Sequence, residues 1–414
     1  MPSSSFDRKT ESNTATWALA IGQLVAWGAV YYAFSLFVVP MEQELGWSRA
    51  STNAALSCGL LVSGLAAYPV GKWIDHGHGR VVLTAGSLLA SVMLVLWSQA
   101  GSLVTLFAAW VGLGVSMAAT LYDPVFAILT RDYPRSFRTK ITLVTLVAGF
   151  ASTVFIPLTQ ELVDVLGWRH ALLALAAINA CACLPIHWLS LRNDPNVTAP
   201  AVNKERIKAE NEASVRRALR TPVFWALAIC FTAYYATFAA LTFHLVPLMV
   251  ERHVSQPVIL ATMAVIGPAQ VLARILWFTA GRSVSPKIVG LVITSAFPAS
   301  VVILLIAGTS PVALILFAVI YGGANGMMTI LRGTIVQDVL WTEGYGAISG
   351  LLSAPSNIAK GIAPISAALI WTIGQTYAPV EWTVLLVSLV STAAFCVVTF
   401  STRHRGATVT ATLD

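Results

Sequence analysis

The chain has 414 residues, of which 57% are hydrophobic and 10% are charged. Soluble domains carry about 25% charged residues, so this composition excludes a water-soluble globular protein and requires lipid around much of the surface. The formal net charge is +7. The five cysteines lie in apolar runs without zinc-type spacing, which indicates packing residues. The composition therefore predicts an all-α membrane protein with neither a metal site nor a cofactor.

Twelve apolar segments are long enough to cross a bilayer as helices, which takes about 20 residues each. In chain order, the predicted spans 1 to 12 cover residues 16–40, 50–74, 80–99, 103–130, 140–166, 169–192, 222–250, 257–281, 287–308, 311–340, 345–374 and 378–401. The polar N-terminus lacks the pattern of a secretory signal peptide, so we interpret span 1 as a retained helix. The lipid bilayer is thus the main environment of the chain.

A charged segment at residues 193–221 divides the spans six and six. We interpret it as a partly helical cytoplasmic linker between two six-helix bundles, residues 16–192 and 222–401, with tails at 1–15 and 402–414. The bundles carry a weak repeat of tyrosine pairs and prolines: Tyr31, Tyr32 and Pro40 in span 1, Tyr234, Tyr235 and Pro247 in span 7, Pro157 in span 5 and Pro364 in span 11. Two like halves are typical of transporters that bind substrate near the membrane midplane.

Lysine and arginine are concentrated in alternate loops, which predicts orientation by the positive-inside rule. Nineteen of the 25 basic residues fall in loops and tails on the side of the termini, and three fall in the loops opposite. The other three lie within spans: Arg274, Arg332 and Lys360. This distribution favours both termini in the cytoplasm, at a bacterial-type inner membrane. It also makes the positive charge a topology signal, so no nucleic-acid partner is expected, and we expect a monomer.

The loop after span 2 reads Gly71-Lys-Trp-Ile-Asp75-His-Gly-His-Gly-Arg80. It resembles the Gly-x-x-x-Asp-Arg/Lys-x-Gly-x-Arg/Lys signature of the major facilitator superfamily, with His76 in place of the base and His78 in place of the second glycine. In a tight turn, Asp75 can meet the positive end of a neighbouring helix or an arginine in an outward-open state. The alternative is an ordinary charged helix cap. The resemblance covers nearly the full chain and implies twelve transmembrane helices in two pseudo-symmetric bundles, the major facilitator fold.

Three stretches resemble the monocarboxylate transporter and oxalate/formate antiporter group within that superfamily. They are Tyr31–Phe37 followed by Gly46-Trp47-Ser48-Arg49-Ala50, Tyr133-Pro-Arg-Ser-Phe-Arg138 before span 5, and Gly167-Trp168-Arg169 between spans 5 and 6. Animal monocarboxylate carriers have a basic residue in span 1 and an aspartate one turn before the arginine of span 8. Here Ser35 and Leu36 occupy the first place, and Gln270 occupies the second.

Two basic residues lie deep in the second half, where a charge is costly and therefore indicates function. The oxalate/formate branch has a basic residue in each of spans 8 and 11, and Arg274 and Lys360 hold these places here. The resemblance implies that the pair binds a carboxylate, and an anion between two cations would relieve their repulsion. The alternative is that each cation pairs with protein groups and only holds helices together.

The tyrosine pairs at 31–32 and 234–235 occupy like places in spans 1 and 7. Their hydroxyls can donate to a carboxylate in a central cavity, or the rings can simply pack at the membrane interface. We predict that at least one of each pair lines the cavity. Asn357 and Gln270 are expected to add polar lining.

Asp123 in span 4 is the only acid well inside an apolar run of the first half. It can load and release a proton, or form a static ion pair with a residue such as Arg332 in span 10. For Arg332 itself we favour gating or charge pairing over substrate contact. His244 in span 7 can carry a proton or donate to an anion, although a lone helical histidine is more often a packing residue.

These features predict a secondary transporter for a small organic anion, a mono- or dicarboxylate, working by alternating access with proton coupling or exchange. The chain lacks a Gly-Lys-Ser/Thr phosphate loop, a His-Glu-x-x-His motif and a nucleophile triad, so neither ATP use nor an enzyme is expected. One alternative is an efflux carrier for a hydrophobic or organometalloid compound. A membrane receptor on the same scaffold is the other.

Overall fold

The computed structural model describes residues 13–191, 201–280 and 284–401. The predicted C-terminal tail and all but residues 13–15 of the N-terminal tail lie outside these ranges. So do several basic residues counted for the orientation: Arg8, Lys9, Arg192, Arg282, Arg403 and Arg405.

The first half consists of six helical crossings, three of them interrupted. Span 1 consists of Asn13–Ala26, a π-helical segment Trp27–Tyr32, and Phe34–Leu45. Span 2 is Arg49–Trp73, span 3 is Gly79–Ser98, and span 4 consists of Leu103–Thr120 and Tyr122–Asp132. Span 5 consists of Phe137–Ala148 and the first part of Ala151–Ser190, and the rest of that helix forms span 6. Span 1 thus begins at Asn13, inside the predicted tail. Serine caps begin spans 2 and 4, where Ser48 and Ser102 accept from backbone N–H groups three residues on.

The second half is more regular. Its helices are Pro222–Glu251 for span 7, Gln256–Ala280 for span 8, Pro286–Ala307 for span 9, Pro311–Val339 for span 10, Tyr345–Gly374 for span 11 and Ala378–Ser401 for span 12. Proline occupies the first turn of spans 7, 9 and 10, where its missing N–H leaves no bond unmade.

Nine helical stretches of the described residues are long and apolar enough to cross a membrane. Two of them, Ser51–Ser98 and Phe137–Ser190, are 48 and 54 residues long. Each contains a glycine with positive φ, 89° at Gly77 and 78° at Gly167, where the chain turns back. Each therefore makes two crossings, and with Tyr345–Gly374 the total is the predicted twelve.

Spans 4 and 5 were predicted as continuous helices, and both are broken. Span 4 breaks at Leu121, whose ψ of −158° is extended. Pro124 explains this, because a residue without an N–H fits the first turn of a new helix and disrupts a helix interior. Span 5 is interrupted at Gly149 and Phe150, where Phe150 has a ψ of 0°.

The predicted linker contains one helix, Ala201–Leu219, which contacts both halves. Glu212 accepts from Lys72 of span 2 at 3.1 Å, and Ser214 donates to the Glu343 carbonyl at 2.6 Å. The Lys72 ammonium lowers the pKa of the Glu212 carboxyl. We call the membrane side that carries this helix the linker side, and the other the far side.

The two halves meet on the linker side. Several hydrogen bonds and ion pairs of the described residues join them there, including Arg138 with Asp338 and Gln337 with Thr130. Spans 2 and 11 pack backbone to backbone, since a Cβ at Gly71 would overlap the Gly346 carbonyl. The chain is therefore closed on the linker side.

Candidate functional site

A cavity of about 420 Å³ lies between the halves at mid-membrane depth. Its lining comes from spans 1 and 2 of the first half and spans 7 and 11 of the second: Tyr31, Tyr32, Phe34, Ser35, Val38, Val39, Asn53, Leu56, Leu60, Phe238, Ala239, Thr242, Phe243 and Lys360. Towards the far side, Ser35 and Val39 are shared with a polar recess of about 770 Å³ that reaches Glu44 and Trp168. The cavity is thus reached from the far side.

Lys360 is the charged residue of this lining. Its Nζ lies 3.3 Å from Asn357 Oδ1, which accepts, and 4.1 Å from the centre of the Tyr235 ring. It forms no ion pair with any described carboxylate. A partly buried cation without an ion pair can take an anion as its counter-charge.

Three of the four predicted tyrosines surround this lysine. Tyr31 and Tyr32 line the cavity with their rings edge to face, 5.5 Å apart, and neither hydroxyl donates to another described residue. Tyr235 lies under the Lys360 ammonium. Tyr234 does not reach the cavity, because it is fully buried in the core of the second half against Phe297.

Arg274 is not exposed to the cavity, contrary to the placement that we expected. Only 4% of its surface is accessible, and its guanidinium donates to two backbone carbonyls at 3.0 Å. One carbonyl belongs to Gly326 of span 10 and the other to Thr145 of span 5, so Arg274 joins the two halves. No contact between Arg274 and Lys360 occurs among the described residues.

Gly149 makes room for this arginine. A Cβ at Gly149 would overlap the guanidinium, so the break in span 5 and the position of Arg274 depend on each other. Gln270, one turn earlier on span 8, packs its backbone against Gly326 and is half-buried. Its side chain adds nothing to the cavity lining described above.

Asp123 and Arg332 form an ion pair at 2.8 Å on the linker side of the cavity. Ser353 of span 11 also donates to Asp123, at 2.7 Å, and accepts from Arg332. Arg332 lies 5.3 Å from the centre of the Tyr235 ring. The three groups connect spans 4, 10 and 11, and the break at Leu121 gives Asp123 its place near the start of a helix.

His244 has partners on both ring nitrogens. Nδ1 lies 3.0 Å from the Tyr377 hydroxyl, and Nε2 lies 2.9 Å from the Pro364 carbonyl. The histidine therefore ties span 7 to span 11 and to the loop before span 12. It is not part of the cavity lining.

The predicted signature loop closes the linker side. Asp75 accepts from the backbone N–H groups of Gly346 and Ala347, both at 2.8 Å, at the N-terminus of span 11. A carboxylate there complements the positive end of the helix dipole. Arg80 stacks on Trp188 at 3.8 Å. The positive φ of the turn is at Gly77, one place before the position of the family glycine, which explains how His78 is accommodated.

Sequence reasoning missed Trp27 and Tyr122. Their rings are 4.9 Å apart, Trp27 is 5.2 Å from Tyr31, and the Trp27 indole N–H is buried without an acceptor. The π-helical segment Trp27–Tyr32 turns these rings inward, and such segments often occur at functional sites. A π-helical register has no sequence signal, so only the adjoining Tyr31-Tyr32 pair could have indicated it.

A family model described as the Major Facilitator Superfamily matches residues 19–364. The chain belongs to the major facilitator superfamily. Members of the superfamily are transporters and not enzymes, and this chain is a multi-pass secondary transporter.

Similarity to known major facilitator proteins extends over most of the chain. Monocarboxylate transporter 13 of Bos taurus is 25% identical over 346 residues, 79% of this chain and 77% of the relative. The human organic anion transporter MFSD10 superimposes with a TM-score of 0.68 at 15% identity, over 92% of this chain and 98% of the other. FucP in its outward conformation superimposes with a TM-score of 0.71 at 12% identity, over 92% and 98%. The homology to monocarboxylate transporters is distant, and the fold is that of the superfamily.

Proposed function

We propose that this transporter carries a small organic anion, a mono- or dicarboxylate, across a bacterial-type inner membrane by alternating access. The observation that carries the proposal is Lys360. It is a cation halfway along span 11, at a cavity between the two halves, and its described contacts are with the neutral side chains of Asn357 and Tyr235. The similarity to proteins named as monocarboxylate and organic anion transporters supports the same class of substrate.

We assign the linker side to the cytoplasm. Of the described basic residues outside the spans, Lys72, Arg131, Arg216 and Arg217 are among those on the linker side, whereas Arg169 and Arg252 are on the far side. By the positive-inside rule this distribution supports our proposal that the termini and the linker are cytoplasmic. The closed linker side then corresponds to an outward-facing state, in which the cavity is open to the exterior.

The two deep cations, Lys360 and Arg274, have different parts in the proposed cycle. In the outward-facing state Lys360 receives the anion, while Arg274 holds Thr145 across the interface. When the linker side opens, this hydrogen bond must break, and the freed guanidinium can then bind the carboxylate. Arg274 is thus a gate in one state and an anion ligand in the other.

Two modes of coupling are consistent with this cycle. Asp123 is held by Arg332 and Ser353, and all three lie on helices that separate when the linker side opens. In proton symport, Asp123 would carry the proton once its contact with Arg332 is broken. His244 is the second candidate for the proton, and the alternative mode is exchange of one anion for another.

Efflux of a hydrophobic compound is the second candidate, because apolar side chains make most of the cavity wall. The two candidates differ in their dependence on Lys360. A carboxylate needs the ammonium, whereas an apolar compound is favoured by its removal, since an uncompensated charge beside an apolar ligand is unfavourable.

The test is uptake of labelled mono- and dicarboxylates by proteoliposomes, with and without a proton gradient. Lys360→Gln is expected to raise KM about 30-fold, because a hydrogen bond to a charged group contributes about 1.5–3 kcal/mol. Lys208→Gln, which removes an exposed lysine of the linker helix, is the matched control and should leave KM unchanged. Carboxylate uptake that is absent, or that is equal in wild type and Lys360→Gln, contradicts the proposal and favours efflux.

A further inference from the structure

The cavity offers a single free cation. Among the described residues, Lys360 is the charged group of its lining, whereas Arg274 is bound to two backbone carbonyls and Arg332 to Asp123. Asp164 of the recess above accepts from Gln160 at 2.8 Å and adds a negative charge on the far side, which repels a second carboxylate. A ligand with two carboxylates would therefore leave one of them without a counter-charge.

The rest of the wall is largely apolar. Opposite Lys360, spans 1 and 2 contribute Phe34, Val38, Leu56 and Leu60, and span 7 contributes Phe238 and Phe243. Burying apolar ligand surface against such a wall is favourable, whereas burying a carboxylate without a hydrogen-bond partner is strongly unfavourable. The wall thus suits the apolar body of an amphipathic acid.

The size of the cavity points the same way. A volume of about 420 Å³ is within the range of pockets that enclose whole drug-sized ligands, roughly 300–1,000 Å³. An acid of two or three carbons would leave most of this space to water, against apolar side chains. A ring or a branched chain would fill it.

We propose that the substrate is a monocarboxylate with a bulky apolar body, of the aryl-alkanoate or medium-chain alkanoate class. The carboxylate binds Lys360, with the hydroxyls of Tyr31 and Tyr32 within the same cavity. The body lies against Phe238 and Leu60. This inference rests on the proposed function and selects, within it, monoanions over dicarboxylates and large bodies over small ones.

The first experiment is competition against uptake by the reconstituted full-length protein. Competitors are straight-chain monocarboxylates of increasing length, 3-phenylpropanoate, oxalate and succinate. Apparent affinity should rise about fourfold for each added methylene until the cavity is full, as burial of a methylene predicts. Succinate should bind at least tenfold more weakly than butanoate, the monoacid of equal chain length.

The second experiment fills the cavity. Leu60→Phe should weaken the apparent affinity for 3-phenylpropanoate at least tenfold and change that for acetate by less than twofold. Leu56→Phe is an independent replacement with the same expected effect. Leu65→Phe is the matched control, because Leu65 is on the same helix but 69% exposed and outside the cavity. It should alter neither affinity.

Failure of this inference is distinguishable from failure of the proposed function. Lys360-dependent uptake in which oxalate, succinate or a two-carbon acid is preferred overturns the inference and keeps the carboxylate carrier. No inhibition or uptake by any carboxylate overturns both. If large monoacids are preferred but Leu60→Phe and Leu65→Phe lose equal affinity for 3-phenylpropanoate, the assignment of the apolar body to the wall that contains Leu60 is overturned.

Discussion

Arg274 and Lys360 show how two cations at similar depth can be placed in different ways. Both are single cations in apolar helices, and the sequence predicts the same role for them. Lys360 lines the cavity. Arg274 is buried outside the lining and donates hydrogen bonds to the carbonyls of Gly326 and Thr145. Hydropathy predicts how deep a residue is, but the direction of its side chain depends on which neighbouring helix approaches closely, here through Gly149.

Arg274→Gln is predicted to act on the gate. It removes the charged hydrogen bonds to the two carbonyls. Since such a bond contributes about 1.5–3 kcal/mol, the ratio of molecules closed on the linker side to molecules open there should fall about tenfold. Pulsed electron paramagnetic resonance between labels on the linker-side ends of spans 5 and 10 measures this population. Arg169→Gln, confined to the far side of the first half, is the control. Unchanged distances together with lost substrate binding would show instead that Arg274 is a ligand in the outward-facing state.

At the scale of helices, the closest approach is that of spans 2 and 11. Gly71, Gly346 and Gly350 have no side chains to separate the backbones, and a Cβ at any of them would overlap the facing helix. Small residues permit such contacts between membrane helices, where packing replaces the hydrophobic effect as the source of association. We expect this contact to be lost when the linker side opens.

Gly71→Ala should therefore destabilise the closed state by about 2 kcal/mol, the usual effect of overpacking. We expect a cysteine introduced on the linker-side end of span 11 to react faster with a thiol reagent, in proportion to the increase in the open state. Gly101→Ala is the control, because nothing lies within 4 Å of a Cβ at Gly101. Equal reactivity in both variants would mean that spans 2 and 11 do not separate.

The helices also show how far sequence reaches. Twelve crossings and most boundaries were predicted, because length and hydropathy alone determine them, and the bounds of span 11 match residue for residue. The breaks at Leu121 and Phe150 and the π-helical segment of span 1 were not predicted, although Pro124 lies close to Leu121 and proline can kink a helix. Their backbone angles depend on contacts with other helices, such as Gly28 against Phe155, which no local pattern records.

At the scale of the molecule, contacts of different kinds close the same side. Asp75 is bound to the N-terminus of span 11 through two backbone N–H groups, whereas Glu212 reaches Lys72 at the water-exposed surface. A partly buried carboxylate at a helix N-terminus contributes more than an exposed ion pair, which solvent and salt screen. The linker helix thus stabilises the closed state less than Asp75 does.

Asp75→Asn is predicted to lower the ratio of closed to open molecules about tenfold, which corresponds to about 1.4 kcal/mol. Glu212→Gln is predicted to change this ratio less. The same label distances report both. Because the pKa of Glu212 is lowered, its contribution is present at neutral pH and is lost as the pH falls through that lowered pKa. A larger shift in Glu212→Gln than in Asp75→Asn would reverse this order of importance.

One of these contacts joins a position to its own duplicate. The prolines that repeat between the halves are 207 residues apart, and so are Thr130 and Gln337, which are hydrogen-bonded to each other. In a two-fold arrangement, residues meet their own counterparts only on the symmetry axis. The Thr130–Gln337 bond therefore lies close to the pseudo-two-fold axis that relates the two halves. Like charges at two positions that meet on this axis would repel each other, and the uncharged threonine and glutamine avoid that repulsion.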